Sequence, residues 1–156
     1  MRRILQQEVV PRLRDLGFRG TIPHFHRERQ NRLDLLNIQF GANGQYFFVN
    51  LGRLQLPQDS ANVVAKPTGE QLNLRNCPLD QRARLAIGIL PEKLGGGARP
   101  GFDKWNFFAD TDAESDALMH KLARQLHEWL PLYADPWWRN EKLSGGAWKI
   151  GPGLAS

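Results

Sequence analysis

Leu33 to Arg53 constrains this chain more than any other stretch. It reads LDLLNIQF, then GANG, then QYFFVNLGR. Two apolar runs rich in β-branched and aromatic residues flank an Asn-Gly, a strong short-range signal for a β-hairpin. Placing Asn43-Gly44 at the centre of a type I′ turn fixes every cross-strand pair. One face then pairs Phe40 with Phe47, Ile38 with Val49 and Leu36 with Leu51, and ends at Asp34 opposite Arg53. The other pairs Gln39 with Phe48, Asn37 with Asn50 and Leu35 with Gly52. A one-residue slip would move the apolar set to the wrong side, so this register is self-consistent.

The elements around the hairpin follow from periodicity. Leu5, Val9, Leu13 and Leu16 share one side of a helix over Arg2–Leu16. Pro11 should kink or restart that helix, and Gly17 should end it in a left-handed cap with Phe18 folding back. Pro23 to Arg29 reads as a strand paired with the hairpin through a short loop at Gln30-Asn31. Phe25 then falls opposite Leu36, and His24 opposite Asn37. His24, Asn37 and Asn50 would form a polar row across three strands, with His26 and Glu28 on the same side.

Residues 56–78 are rich in Pro, Asn, Gly and charge and read as a long connection. Arg82 to Leu90 alternates, with Leu85, Ile87 and Ile89 on one side and Arg84 on the other. Residues 91–101 carry Gly95-Gly96-Gly97 and read as a loop, and residues 104–109 as a short strand. Thr111 and Glu114 form a capping box for a second helix. Its apolar stripe is Leu118, Leu122, Leu126 and Leu130, and Pro131 is expected to stop it. The predicted fold is α+β: an N-terminal helix, a four- to five-stranded mainly antiparallel sheet, and a C-terminal helix, with both helices on one sheet face. Residues 1–133 form a single domain, and 134–156 a Trp-rich extension of it.

Composition sets the function classes. With 156 residues and 41% hydrophobic content, the chain can bury a core unaided. A single cysteine excludes an internal disulfide, and there is no apolar run of membrane-span length or of signal-peptide type. A cytoplasmic location is the expectation. The net charge is +5, and most of the excess lies in residues 1–35.

Chemistry-bearing motifs are sparse. His24-x-His26-x-Glu28 aligns three possible ligands, but the predicted neighbours Asn37, Leu35 and Leu33 are poor zinc donors, so no metal is expected. Cys77 precedes Pro78 without an oxyanion context and reads as a small buried thiol. No nucleophile elbow, phosphate loop, dinucleotide fingerprint or HExxH occurs, so neither catalytic residue nor cofactor is expected.

Three functions remain. The first is a non-enzymatic protein-binding domain. Its candidate binding face is His24, His26, Asn37, Gln39, Tyr46, Phe48 and Asn50, and its candidate interface residues are Arg99, Trp137, Trp138 and Trp148. The second is a small-molecule-binding or enzymatic domain with His24, Asn37 and Asn50 as polar floor. The third is nucleic-acid binding, in which basic residues from Arg2 to Arg32 converge with Tyr46 or Phe48. The strand motif of RNA-recognition sheets is missing, which disfavours that reading.

The order of these signals resembles a bacterial family known as domain of unknown function 4304. The matching residues are Gly17-Phe18, Phe25, Arg27-Glu28, Asn37-Ile38-Gln39, Phe48-Val49-Asn50-Leu51-Gly52, Cys77, Arg82, Arg84, Trp105 and Leu130-Pro131, across residues 1–133. The Gly-rich stretch before Trp105 and the tail after Tyr133 depart from it. The resemblance implies a small α+β domain without assigned catalytic residues. It also leans toward an immunity protein of a bacterial toxin–antitoxin system, one that neutralises its cognate toxin or effector domain by occluding the active site. The chain's charge would then call for an acidic surface on that partner. The sequence carries no signal for oligomeric state.

Overall fold

A computed structural model of the chain describes residues 2–41, 46–56, 73–74, 77–78, 81–85, 105–106, 111–139 and 149–150, with 105–106 and 149–150 described by backbone alone. The helices are α1 (Arg2–Glu8), α2 (Val10–Asp15), α3 (Asp112–Trp129) and α4 (Asp135–Trp138). The strands are β1 (Arg19–Thr21), β2 (His24–Arg29), β3 (Arg32–Phe40), β4 (Tyr46–Gln55), β5 (Arg82–Leu85), β6 (Trp105–Asn106) and β7 (Lys149–Ile150). The sheet order is β1-β2-β3-β4-β5-β7, and β6 also pairs with β4. All pairings are antiparallel except β5 with β7. The fold is the expected α+β arrangement, extended by the short strands β1 and β7.

The expected register holds pair for pair. Phe40 faces Phe47, Ile38 faces Val49, Leu36 faces Leu51, Asn37 faces Asn50, Phe25 faces Leu36 and His24 faces Asn37. The Asn43-Gly44 turn that implied this register lies outside the described residues, as do the loop at 91–101 and the stretches 57–72, 86–104, 107–110 and 140–148.

The N-terminal helix restarts at Val9, as Pro11 requires: proline has no N–H to give the preceding turn. It ends in a Schellman cap. Gly17 takes φ +84°, its N–H bonds Arg14 O at 2.9 Å, and Phe18 N–H bonds Leu13 O at 2.8 Å. Phe18 and Leu13 are both buried beneath it.

One sheet face carries Phe25, Leu36, Ile38, Phe47, Val49, Leu51, Ala83 and Leu85, and packs against Leu5, Val9 and Leu13 of the first helices and Met119, Leu122, Ala123 and Leu126 of α3. Glu8 ties α1 to α3. Its carboxylate meets His120, and its backbone oxygen lies 3.1 Å from His127 Nδ1.

Thr111 caps α3 with a full capping box: Glu114 N–H donates to Thr111 Oγ1 at 3.2 Å, and Thr111 N–H donates to Glu114 Oε2 at 3.2 Å. Thr111→Ala should lower stability by about 1 kcal/mol, read as a reduced urea midpoint with unchanged slope.

Pro131 does not stop this helix, contrary to expectation. The chain widens into a π-turn over Leu130–Ala134, with Asp135 N–H bonding Leu130 O, and re-enters an α-helix at Asp135. The wider turn makes room for the ring and tolerates its missing donor. This continuation carries Trp137 and Trp138 into the core, where they are 9% and 0% exposed.

The second face is not bare either. Leu33, Leu35, Leu56 and Cys77 form a smaller buried cluster, flanked by Leu54 and Leu74. Gly52 makes room for it, since a Cβ there would sit 2.7 Å from Leu74 Cδ1 and 2.9 Å from Cys77 Sγ.

Candidate functional site

What remains of the second face is polar and partly open. β2, β3, β4 and β5 align His24, Asn37, Asn50 and Arg84 in one cross-strand row. Asn37 Nδ2 lies 3.1 Å from His24 Nδ1 and 3.3 Å from Pro23 O. Asn50 Nδ2 donates to Asn37 Oδ1 at 3.3 Å and to Gln39 Oε1 at 3.2 Å, and Arg84 Nε donates to Asn50 Oδ1 at 2.9 Å. An amide donor on Nδ1 calls for the His24 tautomer protonated at Nε2. Each side chain is therefore held by its neighbours on rigid strands.

An aromatic edge borders the row. Arg84 stacks on Phe48, with Cζ 4.4 Å from the ring centroid, and Phe48 meets Tyr46 edge-on at 5.5 Å. Tyr46 also lies over Gly41, where a Cβ would collide with its ring at 2.5 Å. His24 and Gln39 are exposed, Asn37, Tyr46 and Phe48 half-buried, and Asn50 buried.

His26 lies one row along, opposite Leu35. Burial is the main force lowering its pKa; Arg19 and Arg14 add to that, and Glu28 opposes it. All seven residues of the expected binding face thus lie on one side of the sheet. Sequence reasoning missed Arg84 as the fourth member. Its alternation against Leu85 was visible, but the β4–β5 register was not.

The other expected interface residues fare differently. Trp137 and Trp138 lie in the core and offer no docking surface, which corrects that part of the reading. Trp138 donates Nε1–H to Gly52 O at 3.1 Å and stacks on Phe18 at 4.8 Å, and Trp137 lies beneath Arg53. Arg99 and Trp148 lie outside the described residues.

Arg2, Arg14 and Arg27 are held away from Tyr46 and Phe48. Arg2 lies over Phe40 on the helix-covered face, and Arg14 bonds the backbone at Phe18. Arg27 is buried against Asp34. Arg19 alone of the set in described strands sits opposite His26.

Arg53 is opposite Asp34 in register, as expected, but the carboxylate is held by other arginines. Arg27 donates to Asp34 Oδ2 from Nε at 3.1 Å and from Nη2 at 2.8 Å, and Arg32 Nε reaches Oδ1 at 2.9 Å. Burial pushes the Asp34 pKa up, and Arg27 opposes that rise.

Burial also raises the Cys77 thiol, with Arg82 opposing. The protonated thiol is a poor nucleophile. Native protein at pH 8 should resist alkylation by iodoacetamide at Cys77 and react in denaturant, as read by intact mass. Full modification before unfolding would contradict the burial.

No group of three or more metal-ligating side chains occurs among the described residues. No helix among them is long and apolar enough to cross a membrane.

Fold and site together define a small α+β domain with helices on one sheet face and a prearranged polar row on the other. The chain belongs to the family described as "Domain of unknown function (DUF4304)", whose model matches residues 9–140. The match runs past the expected end at 133 and takes in the tryptophans of α4. No curated protein and no solved structure matches the chain.

Proposed function

We propose that this domain is a non-enzymatic cytoplasmic binding protein that docks another protein through the face bearing His24, Asn37, Asn50, Arg84, Phe48 and Tyr46. We take the partner to be a bacterial toxin or effector domain, which makes this chain its immunity protein, acting by occluding the toxin's active site. The observation that carries the reading is the interlocked row. Its amides and guanidinium are ordered before any partner arrives, which lowers the entropy lost on binding. An arginine stacked on an aromatic ring suits a desolvated anchor.

The same interlocking speaks against the row as a catalytic floor, because its polar groups bond to one another instead of converging on an open centre. Arg84 on β5 and Arg19 on β1 outnumber Glu28 on this side of the sheet, and that basic balance matches an acidic partner surface. The test is co-purification with the toxin encoded beside this chain, followed by growth rescue on toxin expression. Binding with rescue supports the reading. A chain that neither binds nor protects removes it.

A further inference from the structure

A second site lies across the sheet, at the β2–β3 turn. A cleft of about 490 Å³ opens there, lined among the described residues by Arg29, Gln30, Asn31, Arg32, Gln55 and Arg139. Arg29, Arg32 and Gln55 are cross-strand neighbours in one row, next to the row of buried Arg27 and Asp34 with half-buried Arg53. That neighbouring row sets the charge. Asp34 and Asp135 are shared by Arg27, Arg29 and Arg32, so cations outnumber carboxylates before Arg139 is counted.

The carboxylates also orient the cations. Asp34 holds Arg32 by Nε alone, at 2.9 Å, so both terminal Nη groups are left to the cleft. Asp135 holds Arg29 by Nη2 at 3.0 Å. Two fixed guanidinium forks on adjacent strands match an anion with several oxygens and more than one charge. No carboxylate lines the cleft among the described residues; its remaining walls are the carboxamides of Gln30, Asn31 and Gln55.

The turn is itself strained. Gln30 holds φ +52°, a left-handed conformation in which a two-residue hairpin turn favours glycine. Strain of this kind collects at ligand sites, and here it sets a carboxamide on the cleft wall.

We propose that this cleft binds a small phosphorylated metabolite, its phosphate groups held by Arg29 and Arg32 and its organic part bounded by the three carboxamides. The volume suits a ligand of nucleotide size. This goes beyond the docking function and uses the opposite side of the sheet.

The test is calorimetry on the full chain with inorganic pyrophosphate, ADP and citrate at matched ionic strength. Wild type should bind pyrophosphate. Gln55→Glu adds a negative charge to the cleft wall without removing an ion pair, and should weaken that binding roughly tenfold or more at an unchanged unfolding midpoint. ADP binding tighter than pyrophosphate supports the role of the carboxamides. No binding by wild type, undiminished binding by Gln55→Glu, or citrate binding as tight as pyrophosphate overturns the proposal. None of these results bears on toxin binding, whose residues lie on the other face.

Discussion

Arg27→Ala should destabilise the domain by about 3–5 kcal/mol, because it leaves buried carboxylate charge without its main cation. Arg27 is 5% exposed, and Asp34 beneath it is fully buried. Arg27 Nη2 lies 2.8 Å from both Asp34 Oδ2 and Asp135 Oδ1, and Nη1 donates to Leu16 O at 2.8 Å. Its guanidinium also stacks on Phe18 at 4.5 Å and Trp138 at 5.3 Å, so truncation removes packing as well as charge.

The loss should depend on pH. Burial already raises the Asp34 pKa above its ordinary 3.8, and without Arg27 it rises further. A carboxyl whose folded pKa lies above its unfolded one binds more protons when folded. Its contribution is present below the unfolded value and lost as pH rises through the folded value. The urea midpoint of Arg27→Ala should therefore fall further below wild type at pH 7 than at pH 4. A penalty equal at both pH values would mean that Asp34 is not the group left unpaired.

Trp138→Ala should cost a similar amount, about 3–5 kcal/mol, through the cavity left by a large core side chain. Trp138 is fully buried between Phe18 and Trp137, with ring centroids at 4.8 and 6.3 Å. Its Nε1–H bond to Gly52 O fastens α4 to β4. Trp138→Phe keeps much of the volume and loses the bond, so its penalty should be smaller than that of Trp138→Ala. Urea unfolding of the two variants separates packing from hydrogen bonding. A loss below about 1 kcal/mol for alanine would place Trp138 outside the core.

These two side chains also mark where the sequence stopped being legible. The sheet register could be read because alternation and one Asn-Gly turn leave a single consistent pairing, and every predicted pair from Asp34↔Arg53 to Phe40↔Phe47 is present. The polar row was legible for the same reason. The tryptophans were not, because Pro131 reads as a stop, and the π-turn that carries the helix past it leaves no period in the residues.

Arg27 gave no local signal either. A charged residue in an alternating strand reads as solvated, and its burial depends on α4 arriving from more than a hundred positions away with Asp135. The cover over Leu33 and Leu35 is likewise a tertiary fact, made by Leu74 and Cys77 from a stretch that reads as a loop. Arg29 and Arg32 could be placed opposite each other by register, but the cleft beside them also needs Arg139.

We propose the polar–aromatic sheet face as the docking surface. The direct test is the affinity of the proposed partner, a toxin encoded beside this chain, for wild type and two surface variants. Phe48→Asp removes the ring that seats Arg84. Leu132→Asp alters a residue 62% exposed in the π-turn on the helix side. Phe48→Asp should bind the toxin roughly 30-fold or more weakly at an unchanged unfolding midpoint, while Leu132→Asp binds as wild type. Full affinity in Phe48→Asp, or loss confined to Leu132→Asp, would contradict the account.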